Sequence, residues 1–407
     1  MHRLVTCAAA LAIAMSAGCG DRIEYRDLPC DADDGTIDAP AVDATPDAVA
    51  DAALDAAPDA AQPTCVAAGD TASHLEPVGG SGGNPQMTPD SFGAVAAVAR
   101  SGGGRLTLLG ADGLRRAADL DLTVTPAAIA FDGLGYKIVE QVAGPTVQLR
   151  TVSATGTVGA PIVIGAGFPV YGAIAVHPSG DVAVLWTAQA DGSLRATVVP
   201  AVGSPVETVL DAPASFVNTQ LVGGVVATQT TAARFVAAFA RVDSIAATTV
   251  MARPLAPAGA AQVVSSGSAA MRQRVGIAAS TSADTALITW RDAAAVHVAT
   301  FHSLAGIVVA DRAVIAQTAG AFTRVAGRAA PGPGFEILLD HAVTATDRGL
   351  FLYRFDAIGD PVAAPRRVAT ICTNAYSEEN LAFVRNASVH YATWFDLTLP
   401  DNIAASF

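Results

Sequence analysis

The sequence repeats one strand-like stretch three times, as DVAVLWT (181–187), TALITWRD (285–292) and HYATWFD (390–396). The tryptophans of these stretches, at positions 186, 290 and 394, are each 104 residues apart. Midway between them lie RFVAAFAR (234–241) and FEILLDH (335–341), which place Phe239 and Leu339 where the others have tryptophan. The chain therefore repeats with a period of roughly 50 residues, and each repeat contains one apolar strand.

A series of turn glycines has the same period. Each glycine follows one strand-like stretch, and most precede another: Gly113, Gly156, Gly203, Gly259, Gly306 and Gly359. Their mean spacing is 246/5, or about 49 residues. One further strand-like segment comes before the apolar strand of each repeat, for example YGAIAV (171–176). Short apolar runs between regular turn signals are typical of all-β domains, and four strands in about 49 residues match one blade of a β-propeller.

These repeats resemble bacterial β-propellers in general, although they lack the signature residues of WD40, kelch and sialidase-like blades. Residues 65–407 have the length of six to seven four-stranded blades. Because the last repeat ends at Phe407 soon after its second strand, we expect residues near 73–110 to complete the final sheet. The alternatives are two β-sandwich domains or a solenoid.

The start of the chain has the order of a secretory signal peptide. His2 and Arg3 are basic, residues 4–15 are apolar except for Thr6, and three small residues follow. The next residue is Cys19. An ordinary secretory signal cleaved after Ala-x-Ala is the alternative to the interpretation that follows.

Small residues directly before a cysteine resemble the lipobox of bacterial lipoproteins, although Ser16 stands where that motif usually has leucine. The resemblance implies that a signal peptide of residues 1–18 is removed and that Cys19 is acylated. It also implies an outer-membrane lipoprotein of a Gram-negative bacterium, because Gly20 stands where aspartate would signal retention in the inner membrane. The expected partner of this N-terminus is the membrane.

The segment that follows the anchor cysteine is acidic. Residues 20–64 carry twelve acidic residues and two arginines, a net charge of −10 within a chain total of −13. In DAPAVDATPDAVADAALDAAPDAA (38–61), aspartates recur every four residues from Asp43 to Asp59. On a helix they would repel each other, and prolines oppose a helix as well. We therefore expect residues 19–64 to be a disordered linker, similar to the Asp/Ala/Pro tethers of some high-GC Gram-negative lipoproteins.

Subtracting the linker and Arg3 leaves a charge of about −4 for residues 65–407. A nucleic-acid surface would need clustered positive charge, so we expect no nucleic-acid partner. No apolar run of about 18 residues follows the leader, so no further membrane span is expected.

The cysteines suggest one disulfide. After removal of Cys7 and acylation of Cys19, three remain: Cys30, Cys65 and Cys372. Disulfides persist in exported proteins. Cys65 opens the body and Cys372 precedes the last repeat, which in a closed propeller brings both near the seam. We therefore favour a Cys65–Cys372 bond over the alternative Cys30–Cys65.

No motif predicts a catalytic, cofactor or metal site. Gly79–Gly83 satisfies G-x-S-x-G but lies in a glycine-rich loop, without the strand and helix of a nucleophile elbow. DADDG (31–35) lacks the alternate spacing of a calcium loop. His297 and His302 are expected on opposite sides of one strand, so they should not share a metal.

Four further sets of residues are candidates for a site. His177 ends a strand and is interpreted as a solvated turn residue. Two pairs near predicted strand ends, Asp340–His341 and Glu378–Glu379, are interpreted as exposed loop charges rather than paired general acids. The repeated tryptophans are expected to pack between blades rather than to line a sugar-binding surface.

The sequence thus favours a lipid-anchored envelope β-propeller that binds or scaffolds protein or polysaccharide at a propeller face. Two alternatives remain, a propeller enzyme acting on an extracellular polymer such as a polysaccharide, and a periplasmic accessory factor for envelope assembly. Fold analogy does not choose among them.

Overall fold

The computed structural model describes the chain from the first strand onward, with gaps. The described ranges are 74–77, 86–100, 102–140, 146–166, 169–188, 191–211, 223–228, 234–244, 247–265, 273–280, 284–292, 295–316, 325–329, 334–342, 348–370, 381–395 and 402–407. In these ranges the secondary structure consists of strands and turns. No helix there has the length and apolar character needed to cross a membrane.

The described strands form seven four-stranded antiparallel sheets, which we call blades. Blade 1 contains β2 (Gln86–Pro89), β3 (Gly93–Arg100), β4 (Gly103–Gly110) and β5 (Leu120–Leu122). Blade 2 contains β6 (Pro126–Phe131), β7 (Gly135–Glu140), β8 (Thr146–Ser153) and β9 (Ile162–Ala166). Blade 3 contains β10 (Pro169–Val176), β11 (Val182–Ala188), β12 (Leu194–Val199) and β13 (Val206–Asp211).

Blades 4 to 6 follow the same order along the chain. Blade 4 contains β14 (Gly224–Ala227), β15 (Phe235–Ser244), β16 (Ala247–Ala256) and β17 (Gln262–Val263). Blade 5 contains β18 (Gln273–Ala279), β19 (Thr285–Arg291), β20 (Ala295–His302) and β21 (Gly306–Ala316). Blade 6 contains β22 (Val325–Ala329), β23 (Phe335–Ala342), β24 (Arg348–Phe355) and β25 (Arg366–Thr370).

Blade 7 is built from both ends of the described chain. It contains β26 (Ala382–Asn386), β27 (Val389–Phe395) and β28 (Asn402–Ser406), and its outermost strand is β1 (His74–Pro77). β1 pairs antiparallel with β28, with His74 opposite Ser406. The first strand of each blade contacts the first strand of the next blade, and β26 contacts β2, so the blades close into a ring.

This architecture confirms the all-β propeller that the repeat predicts, with seven blades in the described residues. The predicted closure by the N-terminal region is also confirmed, with a narrower role than expected. Only β1 completes the last sheet, whereas residues 86–110 belong to blade 1. The last repeat supplies three strands of its own rather than two.

The core lies between the blades. Trp186 is completely buried and packs with Ala128, Val139 and Leu149 of blade 2, while Trp290 is completely buried against blade 4. A Cβ atom added to Gly165 would lie 2.2 Å from Cζ2 of Trp186, so this glycine makes room for the indole ring. The predicted packing role is therefore confirmed for these two tryptophans; the side chain of Trp394 lies outside the described residues.

The glycine series marks the tight turns between the third and fourth strands. Gly113, Gly156, Gly306 and Gly359 have φ between +83° and +85°, and Gly203 has φ +131°. Side chains with a Cβ rarely adopt this left-handed conformation, so the turn itself requires glycine. The spacing of these five glycines reports the repeat because each lies in the turn between the third and fourth strands of its blade, and Gly259 lies in the corresponding turn of blade 4 without a positive φ.

Candidate functional site: the turn face

One end of the ring is defined by two kinds of turn. In every four-stranded antiparallel blade, the turn from the first to the second strand and the turn from the third to the fourth strand lie at the same end. Contacts between neighbouring blades join these ends, as when Asn386, the last residue of β26, donates to the carbonyl oxygen of Gly93 at 2.7 Å. We call this end the turn face.

Five turns of this face share one local structure. In each turn a side chain accepts a hydrogen bond from the backbone N–H two residues later, and that later residue is a large, exposed apolar one. The pairs are Asp90–Phe92 (2.9 Å), Asp112–Leu114 (3.0 Å), Asp132–Leu134 (2.9 Å), His302–Leu304 (3.1 Å) and Asp356–Ile358 (3.0 Å). Such side-chain caps fix turn conformation.

The apolar residues of these turns project into solvent. Leu134 is 89% exposed and Phe92 is 69% exposed, although most large apolar side chains of the described residues lie in the core. We call the five side chains the apolar tips: Phe92, Leu114, Leu134, Leu304 and Ile358. They come from blades 1, 2, 5 and 6, so they are spread around the face rather than gathered in one groove.

The turn of Asp90 also joins blades 1, 2 and 7. The buried Asp90 carboxylate accepts hydrogen bonds from Arg116, at 2.8 Å through one of its nitrogens, and from the Tyr136 hydroxyl at 2.9 Å. Asn386 of blade 7 donates to the Asp90 carbonyl oxygen. The Arg116 guanidinium lies 5.2 Å from the centre of the Phe92 ring. The cluster therefore contacts the Phe92 side chain through Arg116.

These contacts control the charge of Asp90. Burial raises the pKa of its carboxyl, but the hydrogen bond and charge of Arg116, with the Phe92 N–H and the Tyr136 hydroxyl, outweigh burial, so the pKa lies below its ordinary value of 3.8. Burial also raises the pKa of Tyr136, and the neighbouring Asp90 raises it further. Asp90 is therefore a fixed anion and Tyr136 a fixed neutral donor near pH 7.

A second buried cluster joins blades 6 and 7. Glu336 accepts hydrogen bonds from His390 Nε2 at 2.8 Å, from Arg354 Nε at 3.0 Å and from an Arg385 nitrogen at 3.3 Å. The His390 ring stacks on Phe407 with ring centres 5.3 Å apart, and His390 and Phe407 exchange two backbone hydrogen bonds. The end of the chain is thereby held against this cluster.

The charge of Glu336 is fixed in the same way. Burial raises the pKa of Glu336, but the His390 hydrogen bond and the positive charges around the carboxylate lower it more, so it lies below its ordinary value of 4.5. A general acid needs a raised pKa. Asp90 and Glu336 are therefore suited to structural ion pairs and not to acid catalysis.

Other charged pairs link successive blades along the ring. Arg312 of blade 5 pairs with Asp360 of blade 6 and donates to the Ile358 carbonyl oxygen at 2.9 Å, while Arg234 and Asp284 of blades 4 and 5 are 3.2 Å apart. The partners are separated by 46 to 50 residues, which is one repeat. These pairs explain why polar side chains recur at the turn face without forming a catalytic group.

The opposite half of blade 5 holds His297, one of the two histidines considered for metal binding. His297 stacks on Trp290 and lies between two carboxylates, with Asp311 at 2.6 Å and Asp292 at 2.9 Å. Arg195 occupies the matching position in blade 3, over Trp186 and between Asp191 and Glu207. The repetition with arginine indicates a structural role. No group of three or more His, Cys, Asp or Glu in the described ranges is arranged to hold a metal.

The structure corrects the expectation for His177. This residue is 3% exposed rather than solvated. Its Nδ1 accepts the Ser179 backbone N–H at 3.1 Å, and its ring contacts Phe235 of the next blade edge-on. The turn after β10 therefore folds the ring inward to pack against blade 4. His302, on the same strand as His297, caps its own turn.

The remaining predicted site residues lie outside the described residues. These are the lipidation residue Cys19, the disulfide candidates Cys65 and Cys372, the alternative partner Cys30, the loop 79–83, and Glu378 with Glu379. Asp340 and His341 lie in β23, and their side chains are not described. The lipid anchor and the disulfide stay predictions.

Sequence reasoning missed the apolar tips. The signal is present as Asp-x-Phe at 90–92, Asp-x-Leu at 112–114 and 132–134, and Asp-x-Ile at 356–358. Each triplet occurs where a turn is expected, but a lone exposed apolar residue is ordinary on a protein surface. The apolar tips can be recognised as a set only once the fold shows that they lie at the same end of the ring.

Comparison with known proteins supports the fold. The chain is similar to the hydrazine synthase of Kuenenia stuttgartiensis, with a TM-score of 0.53 and 12% identity over 79% of this chain and 95% of that chain. The Dos1 propeller has a TM-score of 0.46 and 9% identity over 82% of this chain and 94% of that chain. The BP39L lectin of Burkholderia pseudomallei has a TM-score of 0.47 and 12% identity over 77% of this chain and 93% of that chain. No protein-family model and no curated protein matches the chain. At an identity this low, the likeness to the hydrazine synthase shows a shared fold and nothing more specific.

Proposed function

We propose that this chain is an exported, lipid-anchored β-propeller that serves as a binding or scaffolding module of the cell envelope, with protein or polysaccharide as its ligand. The observation that carries the proposal is the character of the turn face. Its buried carboxylates are fixed as anions in ion pairs, and its exposed apolar side chains stand on capped turns. A surface of this kind favours binding over acid–base chemistry.

The position of the first strand indicates where the proposed anchor would be connected to the ring. His74 lies opposite Ser406, and the Ser406 hydroxyl lies 3.5 Å from the Asp112 carbonyl oxygen in a turn of blade 1. The chain before His74 therefore joins the propeller at the turn face. An acylated Cys19 would be connected to this end of the ring.

Replacement of the anchor cysteine tests the lipoprotein assignment. We expect Cys19→Ala, expressed in a Gram-negative host, to lose all acyl labelling and to leave the membrane fraction, since stable attachment requires at least two lipid chains. Metabolic labelling with an alkynyl fatty acid and membrane fractionation measure both effects. Cys30→Ala is the matched control and should remain labelled. Labelling that survives Cys19→Ala would show that the chain is not anchored at this residue.

Binding without turnover tests the module assignment. We expect the purified mature chain to co-sediment with insoluble envelope polysaccharide or to cross-link to an envelope protein, while releasing no new reducing ends from the polysaccharide. Heat-denatured chain serves as the control for nonspecific retention. Steady release of reducing ends by the folded chain would favour the enzyme alternative.

A further inference from the structure

We propose that the turn face docks on the lipid bilayer and that the apolar tips insert into its interfacial region. This inference rests on the proposed function, because the lipid anchor brings the chain to a membrane. It goes further by assigning a membrane-contacting role to residues of the propeller itself. The partner surface that the turn face favours would then be the bilayer, and the surfaces of the ring outside the apolar tips would be left for the protein or polysaccharide ligand.

The first argument is the distribution of exposed apolar residues. The described residues include fourteen large apolar side chains that are exposed. Seven of them lie in turns of the turn face: the five apolar tips, Val202 and Val362. The other seven lie on outermost strands. A ring of single tips at one end of a disc fits a flat apolar phase better than it fits one peptide in a groove.

The second argument is how the tips are held. The backbone N–H of Leu134 is fixed by Asp132, and the next N–H, of Gly135, donates to the same oxygen at 2.8 Å. Such turns keep the side chain pointed outward in the absence of a partner, so little conformational entropy is lost on insertion. Single protruding Leu and Phe residues are the side chains that enter the interfacial region of a bilayer.

The third argument concerns charge. The acidic caps of Phe92 and Leu134 each have a cationic neighbour, with Asp90 bound to Arg116 and Asp132 lying 3.1 Å from Lys137. Anionic lipid headgroups would therefore meet paired charges around Phe92 and Leu134 rather than unpaired carboxylates. This local balance lowers the repulsion between these two tips and an anionic membrane surface.

The fourth argument is the path of the chain toward the anchor. Fifty-four residues separate Cys19 from His74, and the chain joins the ring at the turn face. A flexible chain of 54 residues, which the sequence predicts for this segment, has an end-to-end distance of about 40 Å. Anchoring at Cys19 would therefore hold this face near the bilayer at high effective concentration, and weak insertion of several tips would suffice for docking.

The experiment replaces the natural anchor, so that its result does not depend on acylation. The described sheets use no residue before His74, so a chain from Gly20 to Phe407 keeps every described strand. This chain, with an N-terminal histidine tag, is bound to vesicles that contain nickel-chelating lipid. Leu134→Trp places a fluorescent reporter on a tip. Val209→Trp is the matched control, since Val209 is 49% exposed on β13, opposite Arg195 and away from the turn face.

We expect lipids brominated in their acyl chains to quench Leu134→Trp and shift its emission to shorter wavelength, while Val209→Trp and the wild type change little. A Phe92→Ser/Leu134→Ser variant should bind untagged to vesicles at least tenfold more weakly than the wild type, because each lost side chain removes a buried apolar contribution. Absence of quenching at position 134, or equal quenching at both positions, would refute docking by this face. If the chain sediments as a dimer and Leu134→Ser converts it to a monomer, membrane docking is also refuted, because the turn face then binds a second copy of the chain. A wild-type chain that carries no acyl label at Cys19 would instead count against the proposed function alone.

Discussion

Asp90→Ala is expected to lower the free energy of unfolding by about 3 to 5 kcal/mol, because it removes one partner of a buried ion pair and leaves the other uncompensated. Asp90 binds Arg116 and Tyr136, and it caps the turn that precedes β3. The neighbouring carbonyl oxygen accepts from Asn386, so the ring seam shares this turn. Urea denaturation followed by tryptophan fluorescence measures the change, since Trp186 and Trp290 are buried.

Asp112→Ala is the matched control for this prediction. Asp112 caps an equivalent turn through the Leu114 N–H, but the hydrogen bond is exposed. Removing the cap alone should therefore cost about 1 kcal/mol. Equal destabilisation by the two substitutions would show that the buried cluster contributes nothing beyond its turn.

The buried Asp90 carboxylate also predicts that the free energy of unfolding depends on pH. The pKa of Asp90 in the folded chain lies below its ordinary value of 3.8, so its ionised form stabilises the fold above that pH. This stabilisation is lost as the pH falls through the folded-state pKa. The stability difference between the wild type and Asp90→Asn should thus be constant between about pH 5 and 8 and should shrink below about pH 4.

The sequence predicted the parts of this fold that depend on local chemistry. Turn glycines such as Gly113 and Gly359 are recognisable because the left-handed backbone conformation selects glycine wherever the turn recurs. The apolar strands around Trp186 and Trp290 are recognisable because each repeat must bury the same strand between its neighbours. Both signals are periodic, so a single sequence contains several copies of each.

The sequence did not predict the clusters that join distant repeats. Asn386 and Asp90 are 296 residues apart, and Tyr136 lies 46 residues beyond Asp90. Nothing in the segment around Asp90 specifies these partners, because they depend on ring closure and on the register of three blades. His177 was misassigned for a related reason, since its burial depends on Phe235 in the following blade.

Glu336→Gln is expected to have a similarly large effect, a loss of about 3 to 4 kcal/mol in the free energy of unfolding. The amide has the shape of the carboxylate and retains one acceptor oxygen, but it removes the negative charge that Arg385 and His390 face in a buried site. Because His390 also stacks on Phe407, the loss should loosen the C-terminal strand of blade 7. Hydrogen exchange at β27 and β28 measures this local effect, and urea denaturation measures the global one.

Glu207→Gln provides the control, because it neutralises a carboxylate at a similar contact distance in an exposed pair. Glu207 lies 2.6 Å from Arg195, and both side chains are partly exposed. Solvent screens such a pair, so the substitution should cost less than about 1 kcal/mol. The pKa of Glu336 lies below 4.5, so its contribution exists above that pH and disappears as the pH falls through the folded-state value. Equal losses in the free energy of unfolding for Glu336→Gln and Glu207→Gln at pH 7 would contradict this prediction. The junction of blades 6 and 7 would then depend on ring stacking and strand pairing, and the buried carboxylate would not hold the end of the chain in place.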